Sequence, residues 1–81
     1  MNDEVLEVDV TGKVKWQNAK SGYGMIYREN EPEDVFFHRS ELKIEGYPYL
    51  PPGVTVTFDL IKRTGSDSHN GLRAKNVKLV V

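Results

Sequence analysis

The chain has 81 residues, no cysteine, two histidines and a net charge of −1. A chain of this length makes one domain and buries only about 60% of its unfolded surface. Without thiols it has no disulfide and no thiolate metal site, and two histidines so far apart argue against zinc. No apolar run approaches the roughly 20 residues of a membrane span, and the N-terminus lacks a basic stretch followed by an apolar one. A soluble, cytoplasmic chain without a cofactor is expected.

Charge is distributed unevenly. Residues 1–9 hold Asp3, Glu4, Glu7 and Asp9 and no base, which is −4 and leaves +3 for the remainder. Residues 1–10 read as an acidic leader that extends the first strand if it pairs with something, and residues 11–81 as the domain. The leader could also mimic nucleic acid at a basic face.

Val8, Val10 and Val14 take alternate positions with Gly12 between them, a half-buried strand expected to bend or bulge near the glycine. Strict alternation puts Trp16 on the Val14 face, hence in the core. Asn18 to Gly22 supplies turn residues. A second strand follows from about Gly22 to Arg28, then a charged loop punctuated by Pro32, then a short third strand from Asp34 to His38. Ser40 is placed to cap a single helical turn. Glu45 to Gly53 reads as loop, with Tyr47 and Tyr49 exposed. Val54, Val56, Phe58 and Leu60 alternate with polar residues as a fourth strand. Residues 64–71 read as a long polar hairpin containing His69, and Leu72, Ala74, Val77 and Leu79 as a fifth strand whose register shifts near Asn76. Five short strands without a helical period point to an all-β fold, a five-stranded antiparallel barrel of the OB type, with strands two and three available as a binding face.

Side chains alternate across a strand, so Tyr23 and Met25 share a face, as do Phe36 and His38, while Ile26, Val35 and Phe37 take the other. Phe36 and Phe37 cannot both be buried in a sheet covered on one side. One face therefore carries Tyr23, Met25, Phe36 and His38, an aromatic surface suited to a flat partner. Lys62, Arg63, Arg73 and Lys75 are either basic contacts or solvated charges.

Gly12-Lys13-Val14-Lys15-Trp16 with Asn18, Gly22-Tyr23-Gly24-Met25-Ile26, Asp34-Val35-Phe36-Phe37-His38 with Ser40, Gly46-Tyr47, and Ala74-Lys75-Asn76-Val77 together resemble the cold-shock domain family. The resemblance covers about Thr11 to Leu79. It implies a barrel that binds single-stranded RNA or DNA by stacking bases on aromatic side chains. Trp16, Tyr23, Phe36, His38 and Tyr47 fall at the family's stacking positions and Lys15 at a basic one. It also implies that Trp16 lies at the edge of the binding face, which a bulge late in the first strand would allow. Four positions depart from the family. Gln17 replaces an aromatic and Ser21 a lysine, Met25 replaces a phenylalanine, and Arg39 replaces an aromatic or glutamine. Met25 offers a polarizable sulfur and Arg39 a planar guanidinium in compensation. The Phe36-Phe37 pair and the loop Leu50 to Gly53 look more like eukaryotic multi-domain members than short bacterial proteins.

The expected partner is single-stranded RNA, with single-stranded DNA also open, and the expected role is RNA chaperoning or translational regulation. Two alternatives remain: a protein-interaction module on a weakened face, or RNA binding together with a partner protein or neighbouring domains. An RNA-recognition-motif fold needs two helices that the periodicity does not supply. Asp34, His38 and Ser40 superficially list a triad but come without an oxyanion hole, and no enzyme is expected.

Overall fold

The structure, a computed structural model, describes residues 3–44, 49–63 and 71–80. Its strands are β1 (Asp3–Gln17), β2 (Tyr23–Tyr27), β3 (Val35–His38), β4 (Thr55–Arg63) and β5 (Leu72–Leu79), with a 3-10 turn at Arg39–Glu41. They close into a barrel in the order β1-β2-β3-β5-β4. Four of the junctions are antiparallel, and β3 with β5 is parallel, through Phe36 opposite Arg73. The all-β barrel expected from the strand spacing is therefore present, with that single parallel junction closing it. The 64–70 segment, including His69, and residues 45–48 lie outside the described residues.

Closure depends on β1 serving two neighbours. Lys13 pairs with Tyr27 of β2 on one side and Thr55 of β4 on the other. Residues after Lys13 continue along β2, and residues before it run back along β4 as far as Asp3 opposite Arg63. Val14, Ile26, Val35, Phe37, Val56 and Phe58 fill the barrel, each 1% exposed or less. Leu50, from the loop before β4, plugs the same core. The alternation of β2, β3 and β4 is thus the pattern by which a closed sheet fills its interior.

The irregularity expected near Gly12 is present on either side of it, not at the glycine itself. It sits in register opposite Val56. A side chain there would meet Ile26 Cγ2 at 2.6 Å and the Tyr27 carbonyl at 2.9 Å, so glycine is required by the close approach of β2. The irregularities of β1 lie on either side of it, between Val5 and Glu7, between Glu7 and Val10, and between Val14 and Trp16. Asp9 takes a left-handed conformation (φ 53°) at the second of these. Val8, expected on the half-buried face with Val10 and Val14, is 59% exposed because β1 here runs beyond its pairing with β2, and Glu4 to Asp9 are exposed on both faces.

β5 carries a matching irregularity at Asn76, also left-handed (φ 53°), where the β4 register shifts between Thr57 and Asp59. The register shift expected near Asn76 is therefore present. Asp59 ties the two together. One carboxylate oxygen accepts from the Asp9 backbone N–H at 3.3 Å and the other from Asn76 Nδ2 at 3.0 Å. One side chain on β4 thereby fixes a bulge on each flanking strand. Hydrogen bonds to a charged acceptor are worth about 1.5–3 kcal/mol when sheltered and less when exposed. Asp59→Ala is expected to cost about 1–2 kcal/mol and to lower the thermal midpoint by roughly 5–15 °C for a domain this small. Thermal denaturation followed by circular dichroism measures it, and an unchanged midpoint contradicts the tie.

Candidate nucleic-acid interface

The turn from β1 to β2 sets the site. Asn18 Oδ1 accepts from the N–H groups of Lys20 and Ser21, and its carbonyl accepts from the Gly22 N–H, closing a tight connection. Gly22 has φ +82°, a conformation that favours glycine. A Cβ there would also lie 2.9 Å from the Arg39 stem, which crosses it. Gly24 follows with its inward side against the Phe37 ring and the Trp16 carbonyl, each 2.6 Å from where a Cβ would stand. The absence of a side chain at Gly24 lets β2 press onto Phe37, and at Gly22 it makes room for the Arg39 stem, while Tyr23 and Met25 face outward.

Register then assembles one row across four strands. Trp16 pairs with Met25, Met25 with Phe36, and Phe36 with Arg73. Trp16 joins this row because the β1–β2 register slips between Val14 and Trp16, with Lys15 as the extra residue. The tryptophan is 44% exposed, so strict alternation misplaced it in the core, and the bulge implied by the family resemblance is present. A second row pairs Tyr23 with His38. The Tyr23 ring lies 4.9 Å from Phe36 and 4.6 Å from His38, centroid to centroid. Phe36 and His38 are half-buried on the outer face while Phe37 is fully buried.

His38 is held by both ring nitrogens. Nε2 lies 3.2 Å from the Ser21 carbonyl, which can only accept, so Nε2 carries the hydrogen. Nδ1 then accepts from the Ser40 N–H at 3.2 Å and from its hydroxyl at 2.9 Å. The cap of the 3-10 turn is accordingly His38, not Ser40 as expected. With its edge occupied, the imidazole offers a partner its face. Asp34 forms an ion pair with Lys15 at 2.8 Å, and the His38 ring nitrogens are engaged by Ser40 and the Ser21 carbonyl, so the Asp34-His38-Ser40 sequence grouping is not assembled as a triad.

Lys15 stands beside the row with its charge shared by Asp34. Arg39 is exposed at the end of β3, its stem over Gly22. Tyr47 lies outside the described residues. Arg73 was not singled out from Lys62, Arg63 and Lys75 by sequence, yet its guanidinium carbon sits 5.0 Å from the Phe36 ring centroid. Only the parallel β3–β5 junction puts it there, and local periodicity carries no trace of that pairing. A pocket lined by Thr11, Gly12, Lys13, Tyr27, Glu29 and Thr55 lies towards the other end of β2 and contains none of the stacking candidates.

Gln17 has a different role from the one its sequence position suggests. It is 6% exposed, donates from Nε2 to the Gly22 carbonyl at 3.1 Å, and accepts at Oε1 from the Leu50 N–H at 2.6 Å. The residue that stands in place of a family aromatic is therefore a buried strut between the β1–β2 turn and the Leu50 plug. Gln17→Ala leaves a buried N–H without its acceptor, which costs about 1–3 kcal/mol. Urea denaturation followed through Trp16 emission measures this. An unchanged midpoint contradicts the strut.

Residues 10–80 match the family model described as 'Cold-shock' DNA-binding domain. A cold shock-like protein of Aquifex aeolicus is 41% identical over 69 residues, covering 85% of this chain and 91% of that protein. The cold shock-like protein CspA of Rickettsia bellii is 40% identical over 70 residues, 86% of this chain and 100% of its own length. CspC of Bacillus cereus is 42% identical over 66 residues, covering 82% and 92%. These relatives are short bacterial proteins matched over nearly their whole length, so the expected likeness to eukaryotic multi-domain members is not supported.

Proposed function

The chain belongs to the cold-shock domain family, a nucleic-acid-binding family, and on that premise we propose that its outer face binds single-stranded RNA by base stacking. Single-stranded DNA, which presents the same base faces, binds the same surface. The observation that carries the reading is the outward row Trp16, Met25, Phe36 and Arg73, with Tyr23 and His38 beside it. A flat base has faces to meet there, and the ring edges of His38 are already satisfied. Met25 contributes sulfur contact, while Arg39 and Lys15 meet the phosphate backbone, Lys15 in competition with Asp34. Tyr47 is assigned a further stacking role on the family resemblance. Residues 11–81 form the binding domain, and residues 1–10 are an acidic addition.

A protein that captures bases in the single-stranded state draws RNA away from self-paired structures by mass action. RNA chaperoning and control of translation in the cytoplasm follow as the proposed roles. Phosphate contacts are few in this interface, so affinity is moderate and weakly dependent on salt. Each phosphate neutralised adds about 0.7 to the salt slope for a single strand.

The test is titration with purine-rich, pyrimidine-rich and mixed single-stranded RNA, read by Trp16 fluorescence. Each stacked base is worth about 1–3 kcal/mol, so Phe36→Ala should weaken binding roughly tenfold to a hundredfold and remove most of the quenching. The slope of log affinity against log salt should fall near about 2. A slope above about 4, equivalent to six or more phosphates, contradicts a stacking-dominated interface. No response to any of the three RNAs at low salt moves the function to a protein partner.

A further inference from the structure

β1 extends well beyond the part of the barrel it shares with β2. Its β2 pairing begins at Lys13, whereas its β4 pairing continues back to Asp3. Along residues 3–12 the edge opposite β4 has no strand partner among the described residues. Residues 1–9 also lie outside the matched family region, which starts at residue 10. Most of this edge, residues 3–9, is therefore an addition to the matched fold.

An unpaired edge is a template for another strand, and proteins blunt such edges with charges and bulges. Here the bulges after Val5 and Glu7 and the exposed Glu4, Glu7 and Asp9 fit that description. The aliphatic residues do not. Val5, Leu6 and Val8 are 62%, 45% and 59% exposed, a concentration of branched apolar side chains that protection of an edge does not require. We propose that residues 3–10 dock an extended basic segment of another protein, in which lysine or arginine alternates with apolar residues, as an added strand beside β1.

Charge selects this occupant over a second copy of the chain. In antiparallel self-pairing, successive registers place Glu4 opposite Glu7, Asp3 opposite Asp9, or Glu4 opposite Asp9. Like charges directly opposite destabilise a strand pair. Parallel in-register pairing sets every carboxylate beside its own copy. A nucleic-acid strand is repelled for the same reason. A basic strand has both its main-chain groups and its side chains matched, which is recognition by β-augmentation. The carboxylates act against self-association and in favour of one partner class. At about 3.3 Å per residue, residues 3–10 offer roughly 26 Å of edge.

The experiment uses the full chain, an eight-residue peptide alternating lysine and valine, and the same peptide with glutamate for lysine. Amide NMR and hydrogen exchange are the readouts. The lysine peptide should shift amides of residues 3–10 and slow exchange of those that point away from β4 at least tenfold at sub-millimolar concentration, while the glutamate peptide should not. Glu7→Lys, at an exposed position, should weaken binding at least fivefold and leave the Trp16 response to RNA unchanged. Four outcomes overturn the proposal: no shift at millimolar lysine peptide, equal binding of both peptides, shifts centred on Tyr23 and Phe36, or self-association that protects residues 3–10 without any peptide.

Discussion

Between Val14 and Trp16 the ladder joining β1 to β2 gains one residue, Lys15, and much of the outer face depends on that insertion. With strict alternation the indole would enter the interior beside Val14. Instead it pairs with Met25 and heads a row that continues through Phe36 to Arg73. The same slip turns Gln17 inward, where it bonds both Gly22 and Leu50. One extra residue thus exchanges a tryptophan for a glutamine between the two sides of the sheet. The exchange is tolerated because the glutamine's polar atoms meet backbone partners, so no buried group is left unsatisfied there. Gly24 completes the arrangement, since the space a side chain would occupy is filled by Phe37 and the Trp16 backbone.

The departures from the family pattern divide along this geometry. Gln17 and Ser21 belong to the turn that supports the face. Ser21 accepts the His38 Nε2–H at its carbonyl, and its hydroxyl accepts from the Tyr23 N–H. Met25 and Arg39 belong to the face itself, at its centre and its end. A substitution that looks like the loss of an aromatic platform in sequence is, at Gln17, a change in internal bracing. Met25 is left as the departure at the centre of the outward row.

Much of this was legible in the residues alone. The alternation of Tyr23 to Ile26 and Val35 to His38 identified the outward face, and the Phe36-Phe37 pair showed that one ring had to stay outside. The polar residues that end a strand and the apolar residues that fill the barrel obey short-range rules. What escaped depends on pairing between distant segments. Trp16 was misplaced because a bulge leaves no periodic mark before it. Arg73 could not be told apart from Lys62, Arg63 and Lys75 because its neighbour Phe36 is reached only through the parallel junction of β3 and β5. The His38 cap was assigned to Ser40 because serine is the commoner capping residue, while the ring position that allows His38 to serve is set by Ser21 across the sheet.

Met25 occupies the centre of the row, between Trp16 and Phe36, where a family aromatic is absent. Restoring it is the most direct measure of whether this surface stacks bases. Met25→Phe should tighten single-stranded RNA binding about threefold to thirtyfold, the range expected when a weak contact becomes an aromatic one, with the thermal midpoint little changed. Unchanged or weaker binding by a folded Met25→Phe protein would contradict a stacking face and assign these aromatic side chains to a different partner.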